Sequence, residues 1–174
     1  MISPRWRADV LPDVLAPGLR LVFCGMAAGT RSAELGAYYA GPANKFWRTV
    51  RRVGILPELE PQEFRTLLGH GIGLTDLVKR QSGSDAVIRI TQRDRQILRR
   101  KIESAKPRIV AFVGKRAACG FLGRAAIPCG WCEERVGETR LFVLPSPSGA
   151  ANGYWDEAPW FEIARILKGD PGLP

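Results

Sequence analysis

The run Leu21-Val22-Phe23-Cys24 is apolar without interruption and stops at Gly25-Met26-Ala27-Ala28-Gly29. A short, unbroken run of strand formers fits a strand buried on both faces, which requires helices above and below it. The glycines at each end of the following loop let backbone N–H groups approach a ligand closely, or simply make a tight strand-to-helix turn. The rest of the chain supplies the helices. Thr91 is the N-cap of a helix over residues 91–105, with Asp94 three residues later and a Leu98/Ile102 stripe. Pro107 starts a second buried strand over 108–113, and Gly114 leads from it into a helix over 115–122. Further helices are predicted over 42–53, 57–69 and 155–167. Strands are predicted over 19–24, 133–136 and 140–144, with a strand or extended loop over 72–78. This alternation predicts an α/β fold with a parallel or mostly parallel sheet between two helix layers. In such a sheet the loops at the carboxyl ends of the strands form the default binding site.

At 174 residues the chain is expected to hold one domain over 19–168, with an N-terminal arm over 1–18 containing Trp6 and a tail over 169–174. No apolar run approaches the roughly 20 residues of a membrane span, and the start lacks a signal-peptide core, so a soluble, cytoplasmic protein with no membrane partner is expected. The formal charge is +9. That excess on a small domain points to a polyanionic partner, nucleic acid foremost. Residues 79–85 form a polar segment that reads as a solvent loop or as a segment that orders on DNA. Cys129 and Cys132 have the spacing of a redox pair or half a zinc site, but only Cys24, Cys119 and His70 remain as further ligands. Ordinary reduced thiols are the better reading, and no metal is assigned. His70, among glycines at a helix end, reads as a dipole partner.

Separated blocks of the sequence also follow one another in a recognisable order. Gly25-Met-Ala-Ala-Gly-Thr-Arg-Ser-Ala33 is followed by Tyr38-Tyr-Ala-Gly-Pro-Ala-Asn-Lys-Phe-Trp47, then Gly71-Ile-Gly-Leu-Thr-Asp-Leu-Val78 and Leu144-Pro-Ser-Pro-Ser-Gly149. With the lead-in over 11–19, these blocks resemble the mismatch-specific uracil/thymine-DNA glycosylase family of the uracil-DNA glycosylase superfamily. The resemblance spans roughly residues 11–155. It implies a three-layer α/β/α sandwich, base-excision repair, and hydrolysis of the N-glycosidic bond of a base flipped out of DNA, without metal or organic cofactor. The partner is double-stranded DNA with a lesion or mismatch, or single-stranded DNA, bound by a monomer. No lysine stands where the resemblance marks a Schiff-base nucleophile, so the activity implied is monofunctional.

Site residues carry over one by one. Tyr39 stands where the family stacks the base. Gly25, Met26 and Ala27 belong to the loop that offers backbone donors to it, with Met26 the foremost donor. Ser32 falls near the base's 5-position. Ser146, Ser148, Gly149, Ala150, Ala151 and Asn152 occupy the DNA-binding wedge loop, whose serines suit phosphate. The chain departs from the family where the usual Asn and Pro are Ala27 and Ala28, and where Ala150 and Ala151 replace the wedge leucine. An alanine methyl cannot position a water. Two residues are candidates for that role: Asp76, in Gly-Leu-Thr-Asp-Leu-Val, which follows the strand expected near the pocket, and Asn44, after the aromatic turn. Their plain alternatives are a helix N-cap or a salt bridge to Lys79 or Arg80 for Asp76, and helix capping for Asn44. A non-catalytic module binding damaged or mismatched DNA is the competing reading, and a nucleoside or nucleotide enzyme on the same topology is a third.

Overall fold

The computed structural model describes residues 8–169. Trp6 and residues 170–174 of the expected tail lie outside them. In chain order the elements are β1 (Leu21–Gly25), α1 (Thr30–Leu35), α2 (Phe46–Arg52), a 3-10 helix (Pro61–His70), β2 (Ile72–Asp76), α3 (Gln92–Ala105), β3 (Ile109–Val113), α4 (Lys115–Leu122), β4 (Gly130–Val136), β5 (Thr139–Leu144), a second 3-10 helix (Gly149–Tyr154) and α5 (Ala158–Lys168). The sheet order is β2-β1-β3-β5-β4. Four strands run parallel, and β4 closes the edge antiparallel to β5. The fold is the expected α/β sandwich with a mostly parallel sheet.

Every residue of β1, β2 and β3 is buried; the unbroken apolar character of β1 and β3 requires this, whereas β2 carries Thr75 and Asp76 into the interior. Side chains alternate across β1. Leu21 and Phe23 enter one core with Phe46 of α2, Phe64 of the first 3-10 helix and Trp160 of α5. Val22 and Cys24 enter the other with Leu98 and Ile102 of α3 and Phe121 of α4. Phe23 fixes the first layer, edge-on to Phe46 at 5.1 Å and stacked on Trp160 at 6.0 Å between centroids.

Residues 8–18 are built into the same body. Val14 bridges Leu74 antiparallel, each N–H donating to the other's carbonyl at 2.9 Å, which covers the outer edge of β2. Gly73 makes room for this, because a Cβ there would sit 2.5 Å from the Val14 carbonyl oxygen.

Several boundaries differ from expectation. The helix expected from residue 42 begins at Phe46, because residues 41–44 form a turn closed by Asn44 N–H donating to Gly41 O at 2.9 Å. The 57–69 helix is a 3-10 helix over Pro61–His70, and the last helix begins at Ala158, whose N–H is held by Asp156 Oδ1 at 2.9 Å. The 72–78 segment is strand only to Asp76, and the 133–136 strand extends back to Gly130. Helix α1 was not predicted; of its six residues only Ser32 is buried, so no apolar stripe announces it.

Candidate active site

The chain leaves β1 for β2 on one side and returns to β3 on the other, so the sheet order reverses beside β1. A crevice at the carboxyl ends of the strands follows from that reversal. A cleft of about 680 Å³ lies there, lined by Gly25, Met26, Ala27, Ser32, Tyr39, Asn44, Asp76, Ser146, Ser148, Gly149, Ala150 and Ala151. Of the residues carried over as site residues, Asn152 alone is not on its wall. Its Oδ1 instead accepts from Lys45 Nζ on the exposed outside of the second 3-10 helix. His70 also lies away from the cleft, exposed at the end of the first 3-10 helix.

Asp76 ends β2 directly opposite Gly25 in the parallel register. Its residue surface is 4% exposed. A Cβ on Gly25 would meet Asp76 Oδ1 at 2.5 Å and Tyr39 Oη at 3.0 Å, so glycine is what lets these two groups converge over β1. Burial pushes the Asp76 carboxyl up to about 7, Asp13 adds to the rise, and Lys79 and Lys101 oppose it. The carboxyl is therefore poised to exchange a proton near neutral pH, the property required of a general base.

Lys79 does not pair with Asp76. Its ammonium lies 2.9 Å from Asp13 Oδ1 and donates to the Tyr38 hydroxyl at 2.9 Å. Lys101 also pairs with Asp13, and Thr75 Oγ1 donates to it at 2.7 Å. Burial alone would raise the Asp13 carboxyl, but the Lys79 charge and these hydrogen bonds bring it below its ordinary value. This buried network was missed from sequence. The signal was an aspartate between Leu11 and Val14, both of which are core residues.

In the 79–85 segment Arg80, Ser82, Ser84 and Asp85 are exposed as a solvent loop requires, whereas Lys79 is buried. Lys79 is 7% exposed, Gly83 N–H donates to Ala28 O at 3.0 Å, and the Gln81 side chain donates to Arg89 O and accepts from Arg89 N. The segment forms one wall of the cleft, with Gly83, Ser84 and Asp85 on its lining.

In the loop after β1, Gly25 and Met26 carbonyls accept from Leu77 and Val78, which holds the turn against the end of β2. Among the described residues no backbone carbonyl accepts from the N–H of Met26, Ala27 or Gly29. These donors suit a carbonyl or a developing anion in the cleft. Tyr39 adopts φ 53°, and its ring stacks on Phe46 at 4.0 Å. Ser32 Oγ accepts from Ala40 N–H at 3.1 Å and thereby ties this aromatic turn to α1. Asn44 Oδ1 accepts from Phe46 N–H at 2.9 Å in the turn that leads into α2, whose N-cap is Lys45, and Asn44 also lines the cleft.

The wedge loop is braced against the same turn. Pro147 O accepts from Lys45 N–H at 2.8 Å. Ser146 Oγ accepts from Ser148 N–H, and Ser148 Oγ from Ala150 N–H, both at 3.3 Å; each hydroxyl keeps its own hydrogen to donate. The second 3-10 helix presents Tyr154, 90% exposed, four residues beyond Ala150.

Cys129 and Cys132 are free, half-buried thiols, both raised by burial, Cys132 to about 11. Among the described residues no group of three or more His, Cys, Asp or Glu side chains is arranged to hold a metal ion.

Residues 12–166 match the model of the Uracil DNA glycosylase superfamily. The chain belongs to that superfamily. Its fold also matches the solution NMR structure of a protein from Methanosarcina acetivorans provisionally named a uracil DNA glycosylase, with a TM-score of 0.60, 24% identity, and coverage of 93% of this chain and 98% of that one. At that identity the likeness speaks for the fold. Superfamily membership supports a DNA glycosylase function with DNA as the partner.

One stability result follows from the convergence over Gly25. Gly25→Ala is expected to lower stability by about 1–3 kcal/mol, because the methyl overpacks against Asp76 and Tyr39. Gly29→Ala, whose Cβ meets nothing within 4 Å, is expected to stay within about 0.5 kcal/mol of the parent. Urea denaturation of both variants checks the contrast, and equal stabilities would refute the close approach.

Proposed function

We propose that this superfamily member is a monofunctional DNA glycosylase of the mismatch-specific type. It hydrolyses the N-glycosidic bond of uracil or another deaminated base flipped out of DNA, with Asp76 in place of the asparagine that Ala27 has displaced. The observation that carries this reading is the buried Asp76 carboxyl, poised near neutrality in a cleft that also gathers the unpaired loop donors and the Tyr39–Phe46 stack. In the proposed reaction Asp76 accepts a proton from water while the water oxygen bonds to C1′. The C1′–N bond breaks with its electron pair going to the base. Met26 and Ala27 N–H groups stabilise the resulting anion. Asn44 is the second candidate for orienting the water, through its amide nitrogen, since its Oδ1 accepts from Phe46 N–H.

Single-turnover excision, measured on oligonucleotides carrying uracil, hypoxanthine, xanthine or thymine opposite each base and as single strands, tests the proposal. Release of at least one base is expected. Lesion binding without release at enzyme excess would replace the enzyme with a non-catalytic damage-binding module, and tight binding of a free nucleoside would move it to small-molecule chemistry. With a net charge of +9, DNA affinity is also expected to fall steeply with added salt through counterion release. Titrations at several salt concentrations check this, and a flat dependence would rule out phosphate contacts as the main attraction.

A further inference from the structure

The two adjacent tyrosines of the aromatic turn are used differently. The Tyr38 hydroxyl is satisfied by Lys79 Nζ. The Tyr39 hydroxyl is buried and has no hydrogen-bond partner among the described residues, a condition that native structures rarely tolerate without a use. Tyr39 also holds a left-handed backbone conformation uncommon for a non-glycine residue, fixed by the Phe46 stack and by Ser32.

What the hydroxyl approaches is Asp76. Its oxygen and Asp76 Oδ1 lie 3.0 and 2.5 Å from the same point above Gly25. They are therefore no farther apart than one bridging water reaches with two hydrogen bonds of about 2.8 Å each. The other groups facing Asp76 are committed elsewhere or are poor donors. Lys79 is held by Asp13 and Tyr38, Lys101 is held by Asp13, and Cys24 is a buried thiol beside its own Gly25 carbonyl. Burial and the nearby Asp76 also hold the Tyr39 phenol well above its ordinary value, so it remains protonated and able to donate.

We propose that Tyr39 is a positioning residue for Asp76, its hydroxyl donating to the ionised carboxylate directly or through one water and so fixing the direction of that carboxylate in the cleft. The proposal deepens the glycosylase reading, since it assigns the Tyr39 hydroxyl a task separate from ring stacking. Tyr39→Phe keeps the ring and removes the donor. A donor to the charged form favours it, so its loss should raise the pH at which Asp76 ionises.

The experiment follows the Asp76 carboxyl by 13C NMR in DNA-free protein, with Asp76→Asn identifying the resonance, beside single-turnover rates across pH. In Tyr39→Phe the titration midpoint is expected to rise by about half a pH unit or more. The acid limb of the rate profile should move with it, so that the rate falls about threefold or more below neutrality and partly recovers at high pH. Lesion-DNA affinity should stay within about twofold. Unchanged midpoints in the variant and the parent would overturn the proposal. The NMR titration needs no activity, so a protein that excises nothing would sink the glycosylase reading and leave this pairing to be decided by the resonance. Should Tyr39→Phe fail to fold, labelling the three tyrosines with 3-fluorotyrosine strengthens the donor without changing the packing. The Asp76 midpoint should then fall, and an unmoved midpoint would again overturn the proposal.

Discussion

Asp76→Asn should lower the single-turnover excision rate by about 10²–10⁴-fold, the range for loss of a positioned general base, and should make the protein more stable at pH 8. The two effects share one cause. Burial holds the folded-state carboxyl near 7, whereas the unfolded chain titrates near 3.9. Between those values the folded state binds more protons than the unfolded one, so stability falls as pH rises from about 4 to about 7. Above that window the full cost of a buried carboxylate is present. Below it the cost vanishes. Asparagine removes the ionisation, so the variant should exceed the parent by up to about 4 kcal/mol at pH 8 and match it at pH 3.5. Urea denaturation at the two pH values checks the stability, and excision at enzyme excess checks the rate. The parent's rate should climb with pH through about 7, because the carboxylate is the working form.

The same pair of readouts separates Asp76 from Asn44. Asn44 Oδ1 holds Phe46 N–H at the start of α2, so Asn44→Ala is expected to lose about 1 kcal/mol of stability at every pH. A rate loss there would accompany a stability loss. At Asp76 the rate falls while stability rises, the pattern of a group kept for chemistry and not for folding. An unchanged rate in Asp76→Asn would remove it as the base and leave Asn44 as the candidate.

What the sequence made legible divides along the range of the interactions involved. The α3 helix was read to the residue because its start is local chemistry: Thr91 accepts from Asp94 N–H, and Asp94 Oδ2 accepts from Thr91 N–H at 2.8 Å. The α4 helix was equally plain, bracketed by Gly114 and Gly123. The unbroken runs of β1 and β3 revealed both strands and, through their two buried faces, the layered architecture. Residues 42–45 were misread as helix because the brace that holds them, Pro147 O accepting from Lys45 N–H, comes from the far end of the chain. Lys79 was misread for the same reason. A lysine followed by polar residues looks solvated until Asp13 arrives beside it. The cleft residues were legible mostly as blocks of family resemblance; their convergence over Gly25 is a property of the parallel register, which no single block contains.

The Asp13–Lys79 pair gives the second large effect. Lys79→Ala leaves Asp13 with Lys101 alone, leaves the Tyr38 hydroxyl without its donor, and opens a gap in a buried segment. Removing one partner of a buried ion pair costs about 3–5 kcal/mol, because the other charge stays in a poorly solvated place. Asp13 keeps a 20% exposed side chain and a second lysine, so the lower end, about 3 kcal/mol, is expected here. Replacing both partners, as Asp13→Asn with Lys79→Met, should cost clearly less than the two single changes added together, since no unpaired charge remains. The pH signature has the opposite sign to that of Asp76. Asp13 is held below its ordinary value when folded, so its contribution is present above the unfolded value near 3.9 and is lost as pH falls through the lower folded one. Lys79→Ala should flatten that acid loss. It should also raise the midpoint of Asp76, for which Lys79 is the strongest opposing charge, and carry the acid limb of the rate to higher pH. Urea denaturation between pH 2.5 and 8 measures the first effect, and the rate profile measures the second. A Lys79→Ala protein within 1 kcal/mol of the parent, with an unmoved rate profile, would mean that the pair behaves as a solvated surface bridge and does not tune the cleft.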